Sequence, residues 1–142
     1  MSHLTVARRV AEQAHAGQTR RNGEPYINHA IRVSEAAAKH SEDAAIVGML
    51  HDVIEDSDTT FEELEKAGFD HTICWALSLC THADTESYLE YILEIKKYSN
   101  CRAGQIAMAV KLADLEDNLN GAKGTLKDKY ELARYILTNG AL

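Results

Sequence analysis

The chain has 142 residues, of which 45% are apolar and 26% charged, a composition typical of a globular protein with one core. Its net charge of −7 argues against a nucleic-acid partner, because binding to a phosphate backbone needs a basic face. No apolar run is long enough to cross a membrane, and residues 1–13 lack the apolar centre of a signal peptide. We therefore expect a cytoplasmic protein with neither a membrane nor a nucleic-acid partner, although a small phosphorylated ligand stays open.

Helical periodicity runs along almost the whole chain, whereas strand patterns are weak. With one proline and no repeat or linker, the sequence predicts a single domain over residues 1–142, an all-α bundle of about seven or eight helices. In chain order, the first two predicted helices run from about residue 4 to a stop near Gly17 and over about 28–39, and the third is capped by Ser41 and carries the stretch "GMLHDVIEDSD". The next three run from Thr60 to about Gly68, over about 70–80, and through a segment built on Tyr88, Leu89, Ile92 and Ile95. The last two run over about 102–119 and from Thr125 to Asn139–Gly140. A basic and irregular loop, "GQTRRNGEPY", separates the first two.

The stretch "GMLHDVIEDSD" places one imidazole and several carboxylates in an otherwise apolar helix. On a continuous helix His51 would share a face with Glu55, and Asp52 would share the neighbouring face with Asp56. Burying such groups is costly unless a cation or hydrogen bonds compensate, and a metal ion would do so. An exposed helix end would explain Asp58 and Glu55, taken alone, without any ligand, but it does not explain His51 and Asp52 one turn deeper.

Two further polar residues lie where the pattern predicts protein interior. His29 opens the second helix just after the basic loop, and Asp114 lies in "AMAVKLADLEDNL", whose apolar positions run nearly unbroken. Lys111, Asp114 and Asn118 are three and four residues apart and share one helix face. Each residue alone is more often structural or solvated, but two histidines and two aspartates at apolar positions favour a metal site.

Zinc-binding side chains also occur at His71, Cys74, Cys80 and His82. Their spacing matches no standard zinc module, so we discount a site there and expect all three cysteines to be reduced thiols. Trp75 lies within an apolar run and is expected in the core. Tyr88 and Tyr91 are expected to be core or rim aromatics, with a pocket role open for Tyr88, and His15 is expected to pack between helices or to support the site.

Three segments, "RRNGEPYINH", "MLHDVIEDSDTTFEEL" and "VKLADLEDNL", resemble in order and spacing the HD-domain phosphohydrolases of the RelA/SpoT type, including the stand-alone small alarmone hydrolases. The resemblance covers roughly residues 14–118. It implies an HD-domain helical bundle around a single divalent cation, typically manganese, although iron, zinc or nickel suit the same donors. The implied metal ligands are His29, His51, Asp52 and Asp114. The implied catalytic pair, which orients or activates water, is Glu55 and Asp56. The residues implied at the substrate are Arg20 and Arg21 beside the nucleotide, Asn118 at its sugar, and Lys111 in support of the site.

The resemblance implies hydrolysis of the 3′-diphosphate of guanosine tetra- and pentaphosphate with release of pyrophosphate, and no synthetase domain is expected in so short a chain. Three positions depart from the family pattern: Ala30 replaces a proline, Leu115 a basic residue and Gly121 a threonine. Two alternatives therefore stay open. One is a metal-dependent phosphohydrolase of another nucleotide, such as a nucleoside monophosphate or a phosphorylated dinucleotide cofactor, and the other is a non-catalytic sensor of metal and nucleotide. A homo-oligomer also stays open.

Overall fold

The computed structural model describes residues 1–139, and the secondary structure of this part consists of nine α-helices and one isolated β-bridge between Thr19 and Pro25. The helices are α1 (His3–Ala14), α2 (Tyr26–Ala37), α3 (Glu42–Leu50), α4 (Val53–Asp56), α5 (Phe61–Lys66), α6 (His71–Leu79), α7 (Tyr88–Lys97), α8 (Arg102–Leu119) and α9 (Gly124–Thr138). The all-α prediction is confirmed. Across residues 1–139, no helix is long and apolar enough to span a bilayer. The single-domain boundary at 1–142 stays a prediction.

Short polar side chains define most helix starts, as the sequence predicts. The Ser41 hydroxyl accepts a hydrogen bond from the Ala44 N–H at 3.0 Å, and the Thr60 hydroxyl accepts one from the Glu63 N–H at 3.2 Å. The second helix begins earlier than expected, directly after Pro25, whose missing N–H is no loss at a helix start. The predicted end of the last helix at Asn139–Gly140 lies partly outside the described residues, because Gly140 is not among them.

The third predicted helix is divided in two, and the expectation of one continuous helix through "GMLHDVIEDSD" is wrong. The Nδ1 atom of His51 donates to the Gly48 carbonyl at 2.7 Å, the oxygen that the Asp52 N–H would use in an unbroken helix. Asp52 leaves helical geometry, with φ −106° and ψ 0°. The break lies between α3 and α4 and turns the His51 and Asp52 side chains toward the same interior space.

Helix α3 lies at the centre of the bundle and packs against α1, α2, α6 and α8. All of residues 44–50 are buried, which is why this segment is apolar on every side. Gly48 lets α3 approach α2 closely, because a Cβ atom at this position would lie only 3.1 Å from the Cα of Ser34 in α2. Helix α8 packs on both α2 and α3. These packings bring three separate segments together at one interior point.

Helix α6 presents one side to the core, and the expectation for Trp75 is wrong. The buried residues of α6 are Ile73, Cys74, Ala76, Leu77 and Leu79. Trp75 lies on the opposite side of the helix with 39% of its surface exposed, where its ring meets the edge of Tyr98 at a centroid distance of 5.7 Å. All three cysteines are free thiols, and within the described part of the chain the His71, Cys74, Cys80 and His82 side chains form no metal-binding group.

Candidate metal centre and adjoining cavity

Four side chains from three segments converge inside the bundle. His29 comes from α2, His51 and Asp52 from the break between α3 and α4, and Asp114 from α8. One potential ligand atom from each lies within 4.8 Å of the other three. The closest approaches are 2.8 Å between His51 Nε2 and Asp52 Oδ2, and 2.9 Å between His29 Nε2 and Asp114 Oδ1. Across residues 1–139 no second cluster of this kind occurs.

The hydrogen bonds of the two imidazoles indicate which nitrogen of each ring is available to bind a metal ion. The Nδ1 atom of His51 donates to a carbonyl, and the Nδ1 atom of His29 lies 2.6 Å from Oδ2 of Asp117, a carboxylate acceptor. In a neutral ring, each Nε2 is then an unprotonated lone pair that faces carboxylate oxygens. His51 Nε2 is buried and has no hydrogen-bond partner among the described residues. Two nitrogen and two oxygen lone pairs turned inward fit a divalent metal ion.

Proton binding competes with metal binding in this cluster. Burial opposes a charge on His51, but the Asp52 and Asp114 carboxylates outweigh it and raise the pKa of His51 well above its ordinary value. Burial alone would likewise raise the pKa of Asp114, yet Lys111 and the imidazoles hold it well below the usual range. A cation that binds all four donors therefore has to displace a proton.

Asp117 supports the cluster from behind and joins α2, α8 and the basic loop. Besides His29, its carboxylate accepts from Arg20 Nη1 at 2.8 Å and from Arg32 Nε at 2.7 Å. Burial opposes its charge, but the hydrogen bonds from Arg32, His29 and Arg20 lower the pKa of Asp117 to about 2. Arg32 is held in turn by Glu24, with nitrogen–oxygen distances of 2.6 and 3.1 Å. Such a carboxylate fixes the tautomer and orientation of a ligand histidine.

The sequence pattern singled out neither Asp117 nor Arg32. A usable signal existed, since Asp117 lies three residues after Asp114 and Arg32 three residues after His29, each on the next turn of the same helix face. Their pairing across α2 and α8 depends on how the two helices pack.

Tyr26 supports the cluster from a second direction. Its hydroxyl donates to Asp52 Oδ2 at 2.6 Å, and its ring meets that of His29 at a centroid distance of 5.6 Å. Burial and the negative charge of Asp52 raise the pKa of Tyr26, so the phenol stays a donor. His15 packs behind Tyr26 with ring centroids 4.8 Å apart, and its Nδ1 lies 2.9 Å from Gln18 Oε1. This position agrees with the expected packing or supporting role of His15.

A cavity of ≈ 150 Å³ adjoins the cluster. The metal-centre side of the cavity is formed by His51, Asp52, Glu55 and Asp114. The side formed by α7 and α9 comprises Tyr88, Tyr91, Lys129 and Tyr130. Between them lie Cys80, His82, Val110, Lys111 and Asn118. Tyr88 and Tyr91, for which the sequence left core, rim or pocket open, are therefore cavity residues.

The predicted catalytic pair is divided between two openings. Glu55 lines the cavity and accepts a hydrogen bond from the His82 backbone N–H, whereas Asp56 faces a separate open cleft lined by residues of α1 and α5. Partial desolvation and the charges of Asp52 and Asp56 raise the pKa of Glu55, against the His82 hydrogen bond that lowers it. Desolvation and Asp52 also raise the pKa of Asp56. Only Glu55 thus shares the cavity with the metal cluster.

The four residues expected at the substrate occupy different environments. Asn118 lines the cavity, where its Nδ2 donates to Asp114 at 3.2 Å and its Oδ1 accepts from Arg20 at 2.8 Å. Lys111 is buried with its Nζ 2.9 Å from Asp114 Oδ2, which agrees with support of the site. Arg20 is held behind His29, and Arg21 is exposed and does not line the cavity. A nucleotide contact by either arginine stays a prediction.

The three departures from the family pattern lie in different surroundings. Ala30 and Leu115 are both buried in the core, and Leu115 has no exposed surface. Gly121 is exposed with φ +96°, a backbone conformation that favours glycine, and no atom lies within 4 Å of where its Cβ would be.

Comparison with known proteins identifies the class. Residues 7–87, more than half of the chain, match the family described as HD domain, and the protein belongs to this family. Its relatives include the guanosine-3′,5′-bis(diphosphate) 3′-pyrophosphohydrolase of Borreliella burgdorferi, 38% identical over 117 residues. They also include the bifunctional (p)ppGpp synthase/hydrolase SpoT of Escherichia coli, 41% identical over 68 residues. The resemblance to the RelA/SpoT type is confirmed.

These matches cover 78% and 46% of this chain but only 17% and 10% of the two relatives, so the chain spans a small part of their length. Among solved structures, one reported as a metazoan ortholog of SpoT that hydrolyzes ppGpp matches with a TM-score of 0.76 and 26% identity. That match covers 96% of this chain and 84% of the other. The two proteins thus share the whole bundle.

Proposed function

We propose that this protein is a metal-dependent hydrolase that removes the 3′-diphosphate of guanosine tetra- and pentaphosphate and releases pyrophosphate. The observation that carries the proposal is the inward-facing set of two imidazole nitrogens and two carboxylates, one of them the unpartnered Nε2 of His51, beside a cavity that Glu55 lines. The names of the relatives and the reported activity of the metazoan SpoT ortholog support the same substrate.

His29, His51, Asp52 and Asp114 are the proposed ligands of one divalent cation, for which manganese is our choice because it is the typical cation of the family that the sequence resembles; iron, zinc or nickel suit the same donors. Such a cation, when bound, lowers the pKa of water and offsets charge on a phosphoryl oxygen. Asp117 and Tyr26 keep His29 and Asp52 in place, so that the donors need not reorganise during the reaction.

Glu55 is the proposed general base and acid. Its carboxylate takes a proton as the water oxygen forms a bond to the phosphorus attached to the 3′ oxygen of the ribose. The bond between that phosphorus and the 3′ oxygen breaks, and the 3′ oxygen takes a proton to become a hydroxyl. The products are pyrophosphate and guanosine 5′-diphosphate from the tetraphosphate, or guanosine 5′-triphosphate from the pentaphosphate, each with a free 3′-hydroxyl. A raised pKa suits Glu55 for accepting and returning one proton near neutral pH.

Asp56 is proposed to assist Glu55 electrostatically, because its negative charge contributes to the raised pKa of Glu55 while its own side chain faces another cleft. Asn118 is proposed to contact the sugar from the cavity wall, with Lys111 in support. Arg20 and Arg21 remain proposed nucleotide contacts, and the cytoplasmic location remains a prediction.

The test is incubation of the manganese-loaded protein with a panel of nucleotides, followed by separate measurement of pyrophosphate and orthophosphate. We expect pyrophosphate from guanosine tetraphosphate. Orthophosphate from nucleoside monophosphates or phosphorylated dinucleotides, with no product from the tetraphosphate, would support the second candidate function. That candidate is motivated by Gly121, which offers no side chain where the family has a threonine.

A further inference from the structure

The side of the cavity formed by α7 and α9 carries polar groups that the proposed mechanism does not use. Tyr88 is the first residue of α7, and Lys129 and Tyr130 come from the second turn of α9. All three line the cavity that adjoins the metal cluster.

The hydroxyl of Tyr88 is buried without a hydrogen-bond partner among the described residues. A neighbouring phenol at the same site shows the usual arrangement, since the Tyr91 hydroxyl donates to the Cys80 carbonyl at 2.9 Å. A buried hydroxyl without a partner is costly unless a ligand or water completes it. Tyr88 therefore offers a hydrogen-bond donor to whatever occupies the cavity.

Lys129 brings a positive charge to the same wall. Its Nζ lies 4.1 Å from the centre of the Tyr88 ring, and it forms no salt bridge within residues 1–139. Two other lysines are engaged by carboxylates: Lys111 by Asp114 at 2.9 Å and Lys127 by Glu131 at 3.8 Å. The charge of Lys129 is thus available to a ligand, while that of Lys111 is already matched.

The size of the cavity restricts what part of a ligand can enter it. The cavity volume, ≈ 150 Å³, is about that of an engineered protein cavity that holds one benzene molecule. One or two phosphoryl groups fit such a space, but a whole nucleotide does not. The nucleoside then has to stay outside, on the open side of the cavity.

We propose that Tyr88 and Lys129 form an anion subsite that receives the outer phosphoryl group of the substrate's diphosphate, facing the metal centre across the cavity. The inference rests on the proposed function for the identity of the diphosphate. In this arrangement the inner phosphoryl group lies on the metal-centre side and the outer one is held by the phenol hydroxyl and the ammonium group. The leaving pyrophosphate would keep the same contacts after the reaction.

Titration calorimetry with inorganic pyrophosphate tests the subsite without any turnover. The protein is loaded with one equivalent of manganese and freed of excess metal, and its metal content is measured again after the titration. We expect Lys129→Ala to weaken pyrophosphate binding by about 10-fold or more, as removal of a hydrogen bond to a charged group does. Tyr88→Phe should weaken it by a smaller factor, and Lys129→Arg should retain most of the affinity. The matched control is Lys127→Ala on the exposed side of the same helix, which should bind like the unaltered protein.

The subsite and the proposed function can fail separately. If the unaltered protein binds no pyrophosphate, or if Lys129→Ala binds it as tightly as Lys127→Ala, the subsite is wrong, whether or not the protein hydrolyses guanosine tetraphosphate. If pyrophosphate binding falls in Lys129→Ala as expected while the tetraphosphate is not hydrolysed, the subsite stands and the proposed substrate is wrong. Lys129 is exposed, so loss of folding is not expected to obscure the result, and circular dichroism checks this.

Discussion

The two sides of the cavity differ in how firmly neighbouring side chains hold the polar groups that would bind a ligand. On the metal-centre side, His29 is backed by Asp117, Asp52 by Tyr26, and Asp114 by Lys111, all at 2.6–2.9 Å. On the side formed by α7 and α9, the Tyr88 hydroxyl has no partner within residues 1–139. The first side holds its donors in one geometry before anything binds, which favours a metal ion. The second side leaves a donor and a charge unmatched, which favours a ligand that comes and goes.

The largest expected effect comes from breaking the buried charge pair on the metal-centre side. Asp114→Asn removes one donor of the proposed metal and leaves Lys111 buried without its counter-charge. We expect loss of stoichiometric manganese binding, and a fall of about 3–5 kcal/mol in the free energy of unfolding, as is typical when one partner of a buried ion pair is removed. Metal analysis and urea unfolding measure the two effects.

The double variant Lys111→Met/Asp114→Asn separates these two effects. It removes both charges, so the free energy of unfolding should recover while manganese binding does not. Stoichiometric manganese binding in the double variant would contradict the assignment of Asp114 as a ligand.

The next largest effect concerns the two openings that divide Glu55 from Asp56. Glu55→Gln should lower kcat by about 10²–10⁴-fold, the range for loss of a general acid–base group, with manganese content unchanged. Asp56→Asn should lower it less, because Asp56 faces the other cleft. Asp58→Asn, an exposed residue of the same segment, is the control and should leave kcat unchanged.

Equal losses of kcat in Glu55→Gln and Asp56→Asn would show that the two carboxylates act as one pair. If Glu55→Gln left every measured turnover unchanged while Asp52→Ala abolished metal binding, the catalytic role of this site would be contradicted and the sensor alternative favoured.

A smaller effect is expected behind His29. Asp117→Asn keeps the shape of the side chain but removes the charge that Arg20, Arg32 and His29 share, so manganese affinity should fall by about 10–100-fold, as for other residues that orient ligand histidines. Glu116→Gln is the matched control, because Glu116 is exposed and its carboxylate lies 3.1 Å from Arg134, away from His29. If both variants bind manganese equally well, Asp117 does not position His29.

The smallest expected effect is a dependence of manganese affinity on pH. The folded-state pKa of His51 is raised, so in the metal-free protein the ring stays protonated to a higher pH than a free histidine, and metal binding releases that proton. The affinity should therefore decrease as pH falls below this raised pKa, by about tenfold per pH unit for one proton. Calorimetry in buffers of different ionisation enthalpy counts the protons released. A count of zero near neutral pH would mean that the ring is already neutral.

The four proposed ligands could be found from the sequence because each places a charge or an imidazole where the pattern demands apolar side chains. The supporting residues could not. Asp117 and Arg32 look like ordinary surface charges in the sequence, and only the packing of α2 against α8 makes them a network around His29. For Trp75 the error was the reverse, since a residue expected in the core is exposed. An apolar run without clear periodicity does not indicate which side of its helix faces solvent.

By itself, the sequence determined the all-α architecture, the approximate helix bounds and the identity of the metal-type donors, because helical periodicity, capping residues and the cost of burying charge act locally. The tertiary structure alone decided three things: the break at His51–Asp52, the division of Glu55 from Asp56, and the contrast between a cavity wall whose proposed ligands are held by neighbouring side chains and one where the Tyr88 hydroxyl has no partner within residues 1–139. Each depends on contacts between residues far apart in the chain or on one side chain that competes for a backbone carbonyl. Local patterns carry no information on either.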